Sequence, residues 1–422
     1  MKPSRFTRRR FVVSAGAAAI GIGSGAGALV EWLGTGAAAT VPLGAQPHGL
    51  PSRQHAWNAF LRRDAHGNVI VPRHVRLLLF DVKGHPSPAS ARVLEAALRT
   101  LERRFHWSPD GLLFTVSWGP HYFQHVLGVD SPVPHPEALS SFELPVLDAY
   151  DACLHLACDD EARLEAVTAS LVHGRPLAGA DGPLDLRSAL VLRDLRTGFV
   201  GSRLPAAHQD VSGIPAGKPV PPSAPLYMGF KSGFRKNQAS EDSITIATGP
   251  FAGGSTMHVS RMRLRLQSWY GMLDERERVA RMYAPQVTPE QVARFTTDAP
   301  SDPGKLVHDA KRYGVVGHSQ TSAVVRRNGM PLILRRDFDT TDGGEAGLHF
   351  VALQETIADF VKTRKAMNAA RATYVNPSIT ETTNNGINEF IFVTHRANYV
   401  VPPRALRSFP LLPGRENALR SA

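Results

Sequence analysis

The sequence predicts an α+β chain of two ferredoxin-like halves with antiparallel sheets, and three observations carry that expectation. From His74 to Leu192 the segments run strand, helix, strand, strand, helix, strand, the split βαβ order. Residues 206–225 are rich in Pro and Gly and carry no periodicity, as a link between halves would. Beyond them the same alternation returns with longer excursions, although no repeat is visible residue by residue. The expected division is residues 70–205, a linker at 206–225, and residues 226–412.

The elements follow in order. "HVRLLLFDV", His74 to Val82, is a nearly continuous apolar run and reads as a buried strand. Between Pro88 and Phe105, Val93, Leu94, Ala97, Leu98 and Leu101 share one helical face, with Ser87 as the cap. "GLLFTVSWG" (111–119) and "ACLHLAC" (152–158) are the next strands. Asp159 is the expected cap of a helix bearing Leu164, Val167 and Leu171, and Ser188–Leu192 closes the set. In the second half, Met262, Leu264 and Leu266 alternate with Arg261, Arg263 and Arg265, which predicts a strand with one core face and one basic face. Helices are expected over 269–282, near 289–295 and over 357–370, and strands at "SAVVRR" (322–327), "GLHFVAL" (347–353) and "NEFIFVTH" (388–395).

The chain opens with a basic stretch holding Arg8 and Arg9, then Phe11, a Gly- and Ala-rich apolar run, and small residues near Ala39. That is the pattern of a signal peptide, and the paired arginines resemble a twin-arginine export signal over residues 1–39. The expected location is periplasmic or extracellular, reached folded through the twin-arginine export machinery. No later run of about 18 apolar residues follows, so no stable membrane insertion is expected after cleavage. The formal net charge is +11, and since residues 1–39 hold five Lys/Arg and one Glu, it is +7 without them. A nucleic-acid partner is not expected, because basic residues are not clustered with aromatics. Cys153 and Cys158 are five apart in one strand, hence on opposite faces, and read as small core residues with no disulfide between them.

The simplest chemistries are not signalled. The seventeen histidines are scattered, "FAGGS" lacks the lysine of a phosphate-binding loop, and no Gly-x-Ser-x-Gly elbow occurs. What does recur is a series of words in order: "TVSWGPHYF", "GFKSG", "GGSTMHVSRMRLRLQSW", "GHSQTS", "LILRR", "GLHFVALQETIADFV" and "INEFIFVTHRANYVVPP". In this order and at these intervals the chain resembles the dye-decolorising peroxidases over roughly residues 74–410, more specifically in the second half. The resemblance implies two ferredoxin-like domains of the dimeric α+β barrel type, haem b as cofactor, and a haem-binding C-terminal domain. Hydrogen peroxide and an unidentified reducing substrate are the implied partners, with further copies of the chain as a possible assembly.

The site residues follow from matching positions. His318, after two glycines in "YGVVGHSQ", is expected at the mouth of a strand where the backbone can approach a flat macrocycle. Alone, a histidine is more often structural; the resemblance makes His318 the implied haem and metal ligand. His258, His349 and His395 are left as core or surface histidines. Arg335, or Arg336 one step on, stands where the family carries an arginine over the open face of the iron, and Arg335 is preferred at 17 residues past His318. Gly229, Phe230 and Gly233 frame the cofactor-facing word "GFKSG", in which the family has an aspartate where this chain has Ser232.

A hydroxyl cannot take a proton as a carboxylate does, so Ser232 is expected at most to orient a water. Lys231 would add charge without basicity. Glu241 and Asp242 are candidate replacement carboxylates, and Glu381 and Asn385 candidate partners for His318. The expected function is an exported haem-binding protein, a peroxide-dependent oxidoreductase with a modified distal site. The alternatives are a non-catalytic haem carrier or interaction module that keeps the fold, and a hydrolase using Ser232, for which no motif supplies a base.

Overall fold

The computed structural model describes residues 49–411, so the expected signal peptide at 1–39 lies outside the described residues. In chain order the elements that build the frame are β1 (His74–Val82), α1 (Pro88–Arg104), β2 (Leu113–Trp118), β3 (Ala152–Cys158), α2 (Glu161–His173), β4 (Leu190–Phe199) and β5 (Ser255–Leu264). They continue with α3 (Glu275–Met282), α4 (Leu306–Tyr313), α5 (His318–Ser322), β6 (Leu334–Arg335), β7 (Phe338–Thr340), β8 (Gly347–Gln354), α6 (Ile357–Ala366), α7 (Ala370–Val375) and β9 (Ile391–Val401).

The fold is mixed α/β with one shared sheet in the order β7-β4-β1-β3-β2-β9-β5-β8-β6. Pairing along it is antiparallel throughout, and only Val146–Leu147 adds to β9 in parallel. The first half contributes four strands, β4-β1-β3-β2, and the second half five, β9-β5-β8-β6 with the short β7 at the far end of the order. The halves meet at two seams: Val400 opposite Trp118, and Asp339 opposite Phe199. Because β7 also pairs with β8, the sheet closes on itself like a barrel.

The helices form where the pattern requires. Ser87 accepts from Ser90 N at the start of α1, as read from the sequence. At α2 the cap is Asp160, not Asp159; Asp159 instead accepts from Arg73 N and pairs with Arg62. The predicted helix over 269–282 is broken, and α3 starts afresh at Asp274 with a capping box. The predicted strand at 322–327 is absent: Ser322 ends α5, and Arg327 is drawn by Asp359 at 2.9 Å and Glu355 at 3.0 Å into a short Arg327–Met330 bridge. β4 is longer than Ser188–Leu192, pairing along β1 as far as Phe199.

The alternation on β5 holds: Met262, Leu264 and Leu266 are buried, while Arg263 and Arg265 are exposed. Met257 and Val259 of β5 join β1 to β3, Val351 and Tyr399 in one core shared by both halves. The opposite face of the second half, with Met262, Leu264, Ile391 and Val393, belongs to a second cluster with Met228 and Trp269. A bulge in β9 between Val393 and His395 changes the phase, so that Arg396, in place of an apolar residue, comes to that second face. Cys153 and Cys158 are buried free thiols. Among the described residues no helix is long and apolar enough to cross a membrane.

Candidate functional site

On the second face of the C-terminal half lies a cavity of about 1490 Å³ counting its open mouth. Most of its wall is apolar, supplied by Met228, Met262, Leu264, Leu348, Phe350 and Ile391. Of the residues singled out from the sequence, it brings together His318, Arg335, Ser232 and Phe230. Gly229, Gly233 and Arg336 do not line it.

His318 is the first residue of α5, not the end of a strand, and Gly317 precedes it as the cap. Two glycines make that placement possible. A Cβ on Gly317 would come within 1.9 Å of Tyr283 O, and one on Gly386 within 2.8 Å of His318 N. The first would force the backbone apart and the second would push His318 from its place. The ring is driven to the neutral form: burial first, then the charges of Arg335 and Arg364, lower its pKa to about 3. Its Nδ1 is buried without a hydrogen-bond partner. Glu381 is engaged elsewhere, accepting from Ser141 N at 2.8 Å and Ser141 Oγ at 2.7 Å. Asn385 donates to Met367 O and Glu381 O, and its Oδ1 is buried and unpartnered.

Arg335 and Arg336 separate as neighbours on a strand must. Arg335 Nη2 donates to Ser232 O at 2.9 Å and reaches Asn237 O at 3.4 Å; it has no carboxylate partner among the described ion pairs. Arg336 is buried on the other side, 4.0 Å over the Trp57 ring, donating to His55 O at 2.6 Å and Glu241 Oε1 at 3.3 Å. Burial lowers its pKa to about 10, offset in part by Glu241. Glu241 also accepts from Trp57 N and Asn58 N, and Asp242 pairs with Arg53 at 2.6 Å. Neither lines the cavity, so neither supplies it with a carboxylate. Lys231, on the wall, turns to Asp64 at 2.6 Å.

The acids that do reach the cavity are Asp337 and Asp339. The signal for them was present in "RRDFDT": with a period of two, Arg335, Asp337 and Asp339 share one face. Ser232 Oγ donates to Asp337 Oδ2 at 3.2 Å. Asp339 accepts from Tyr227 N at 2.6 Å, and burial, then the nearby charge of Asp337, pushes its pKa well above the carboxylate range. At the far wall, Arg364 and Arg396 share Glu143, at 2.5 Å and 2.7 Å. Burial alone would raise the Glu143 pKa, but the two arginines outweigh it and hold it low. Arg396 continues to His258 Nε2 at 3.2 Å, and His258 stacks on Phe360 at 3.6 Å. These arginines were not legible in the sequence, because a bulge and a helix turn aim them.

His349 and His395 sit apart from the cavity, bonded to Asp342 and Asp148. His121 and His125, four residues apart, stack at 4.5 Å, yet among the described residues no group of three His, Cys, Asp or Glu could hold a metal ion. A porphyrin needs one ligand only, and the residues present fit one: a neutral imidazole with an orphaned ring nitrogen on a large, mostly apolar cavity.

Comparison with known proteins agrees on the frame. A dye-decolorizing protein from V. cholerae superimposes with a TM-score of 0.54 at 15% identity, covering 83% of this chain and 98% of that one. A DyP-type peroxidase from Cellulomonas bogoriensis gives 0.53 at 17% identity, with 82% and 96% covered. A variant of DypB from Rhodococcus jostii RHA1 in complex with heme gives 0.52 at 14% identity, with 85% and 99% covered. At such identities the likeness is one of fold. No curated protein sequence matches the chain. A sequence-family model described as "Family of unknown function (DUF7405)" matches residues 72–403.

Proposed function

The chain belongs to this family of unknown function, and from that premise we propose that it is an exported haem b-binding protein acting as a peroxide-dependent oxidoreductase. The observation that carries the reading is His318, a neutral imidazole on the wall of a large apolar cavity that also holds the guanidinium of Arg335. The fold, shared with DyP-type peroxidases, supports it.

In this reading His318 is the iron ligand, and its unpaired Nδ1 is the nitrogen that a supporting acceptor would hold. Bound haem supplies the redox-active iron that reduces peroxide. Arg335 keeps a fixed positive charge in a water-poor cavity, where it stabilises negative charge developing on peroxide oxygen. Its anchor on Ser232 O leaves the rest of its fork free to turn toward the cavity. Arg364 and Arg396, with one carboxylate between them, leave a net positive wall suited to a porphyrin propionate. Phe230 and the aliphatic wall exclude water and cover the ring.

We read the two halves, residues 70–205 and 226–412, as ferredoxin-like domains joined through residues 206–225, and residues 1–39 as a twin-arginine signal that sends the folded protein to the periplasm or beyond. A second reading, a haem carrier without turnover, draws on Ser232, which cannot act as a base. The test is an absorbance spectrum of the mature protein supplied with haem, wild type against His318→Ala. A Soret band shifted or lost in the variant is expected; identical bands would remove His318 as ligand. Haem uptake without any reaction with peroxide would favour the carrier.

A further inference from the structure

The carboxylate missing from "GFKSG" has not left the cavity. We propose that Asp337, positioned by Ser232 on one side and by Arg336 through a bound water on the other, is the group that moves the proton of hydrogen peroxide in this site. The inference rests on the haem reading above.

Asp337 lies in the link between β6 and β7, and it lines the cavity together with Arg335 and Asp339. Ser232 ties the two working groups together: its Oγ donates to Asp337 Oδ2 at 3.2 Å, while its carbonyl accepts from Arg335 at 2.9 Å. A serine at this position therefore does not leave the site without an acid. It holds an acid that the chain delivers from the link between β6 and β7.

The other oxygen of Asp337 explains Arg336. Asp337 also borders a second, smaller pocket of about 260 Å³ counting its open mouth, shared with Trp57, His155 and Arg336. Asp337 Oδ1 and Arg336 Nη1 are both buried and both lack a partner. An unpaired acceptor and an unpaired charged donor beside one small pocket are costly to leave bare, and its inner space has room for about one water. A water there, accepting from Arg336 and donating to Asp337, satisfies both. It fixes the carboxylate from behind and leaves Oδ2 as the oxygen on the Ser232 side, facing the cavity. His155 on the same pocket cannot compete for charge, since burial, then Arg336, lowers its pKa to about 3. Burial pushes the Asp339 pKa well above the carboxylate range, which disfavours a second charge beside Asp337.

The step is a proton relay. An O–H bond of hydrogen peroxide breaks as the proton joins Oδ2 of Asp337; that bond then breaks as the proton joins the second peroxide oxygen. The carboxylate is regenerated and no electron changes hands. Ser232 and Arg336 are positioning residues in this scheme, and Asp337 is the one that meets the reacting atoms.

The experiment uses the mature chain loaded with haem b, in wild type, Asp337→Asn, Asp337→Glu and Ser232→Ala. Two rates are read by stopped flow: the reaction with hydrogen peroxide, and the association of cyanide, whose acid must also give up a proton on binding. Melting temperature and the Soret band are recorded beside them. The expected result is an unchanged Soret band with both rates lowered about 10²- to 10⁴-fold in Asp337→Asn, partly restored in Asp337→Glu, and lowered less in Ser232→Ala. Wild-type rates in Asp337→Asn overturn the proposal, as do rates that fall only in step with melting temperature or haem uptake across the set. Should Asp337→Asn not fold, unaltered rates in Ser232→Ala overturn it equally. A wild-type protein that takes up no haem defeats the haem reading itself, and the relay with it.

Discussion

Arg335 and Arg336 are adjacent in the chain and belong to different environments: one donates to Ser232 O at 2.9 Å beside an open cavity, the other lies 4.0 Å over the buried ring of Trp57. The extended backbone at the end of β6 turns the two side chains to different sides, so the two substitutions have different consequences. Arg335→Ala removes a charge donor from the cavity and is expected to slow the peroxide reaction about 10²- to 10³-fold while melting close to wild type. Arg336→Ala leaves the half-buried Glu241 without its cation, and a stability loss of about 1–3 kcal/mol is expected in denaturant titration. Equal melting temperatures for the two variants would contradict the assignment.

Imidazoles removed from water contribute to the acid limit of the apoprotein. His55, His155 and His318 all have pKa values lowered to about 3, burial being the first cause in each. Their unfolded value is 6.5, so the unfolded chain binds protons that the fold refuses. Their contribution is complete above about pH 6.5 and is lost as pH falls toward 3. Each adds up to about 1.4 kcal/mol per pH unit to the slope in that window. His155→Gln should flatten the slope by about that amount in unfolding titrations at pH 7, 6, 5 and 4.

Asp339 has the opposite sign. Its folded pKa is raised, so the fold keeps a proton that the unfolded chain has released above about pH 4. Its burial therefore costs stability that grows with pH. Asp339→Asn keeps the acceptor for Tyr227 N and is expected to raise the melting temperature by a few degrees, about 2–4 °C per kcal/mol, at pH 7. The gain should shrink on acidification to pH 4, and a gain independent of pH would show that Asp339 is ionised in the fold.

Glu143 holds two arginines together at the cavity wall. Glu143→Ala leaves two like charges buried and unpaired, and a loss of about 3–5 kcal/mol is expected in the apoprotein. Chloride or phosphate should recover part of it by occupying the vacated position, a rescue visible as a salt-specific rise in melting temperature.

The strands and helices of the first half were legible because their signals are local. The apolar run at 74–82 and the periodic face of 88–105 need no knowledge of the rest. His318, Arg335, Ser232 and Phe230 meet in one cavity, and the words that carry them were readable in order. The losses were long-range. Asp159 and Asp160 are equally good caps on paper, and only the distant Arg62 decides between them. Glu241 looked available until the residues 57, 58 and 336 claimed it. Asp337 is not singled out by the sequence, because its partner Ser232 lies 105 positions away.

The ring of strands has no half-way form. Trp118 waits for Val400 and Phe199 waits for Asp339, so each margin of the N-terminal lobe stays bare until its partner in the second lobe has been made. Arg407, fastened to Glu95 at 3.0 Å, then works as a buckle on the finished loop. Fragments cut between the lobes should therefore clump through their open flanks, not persist as tidy monomers.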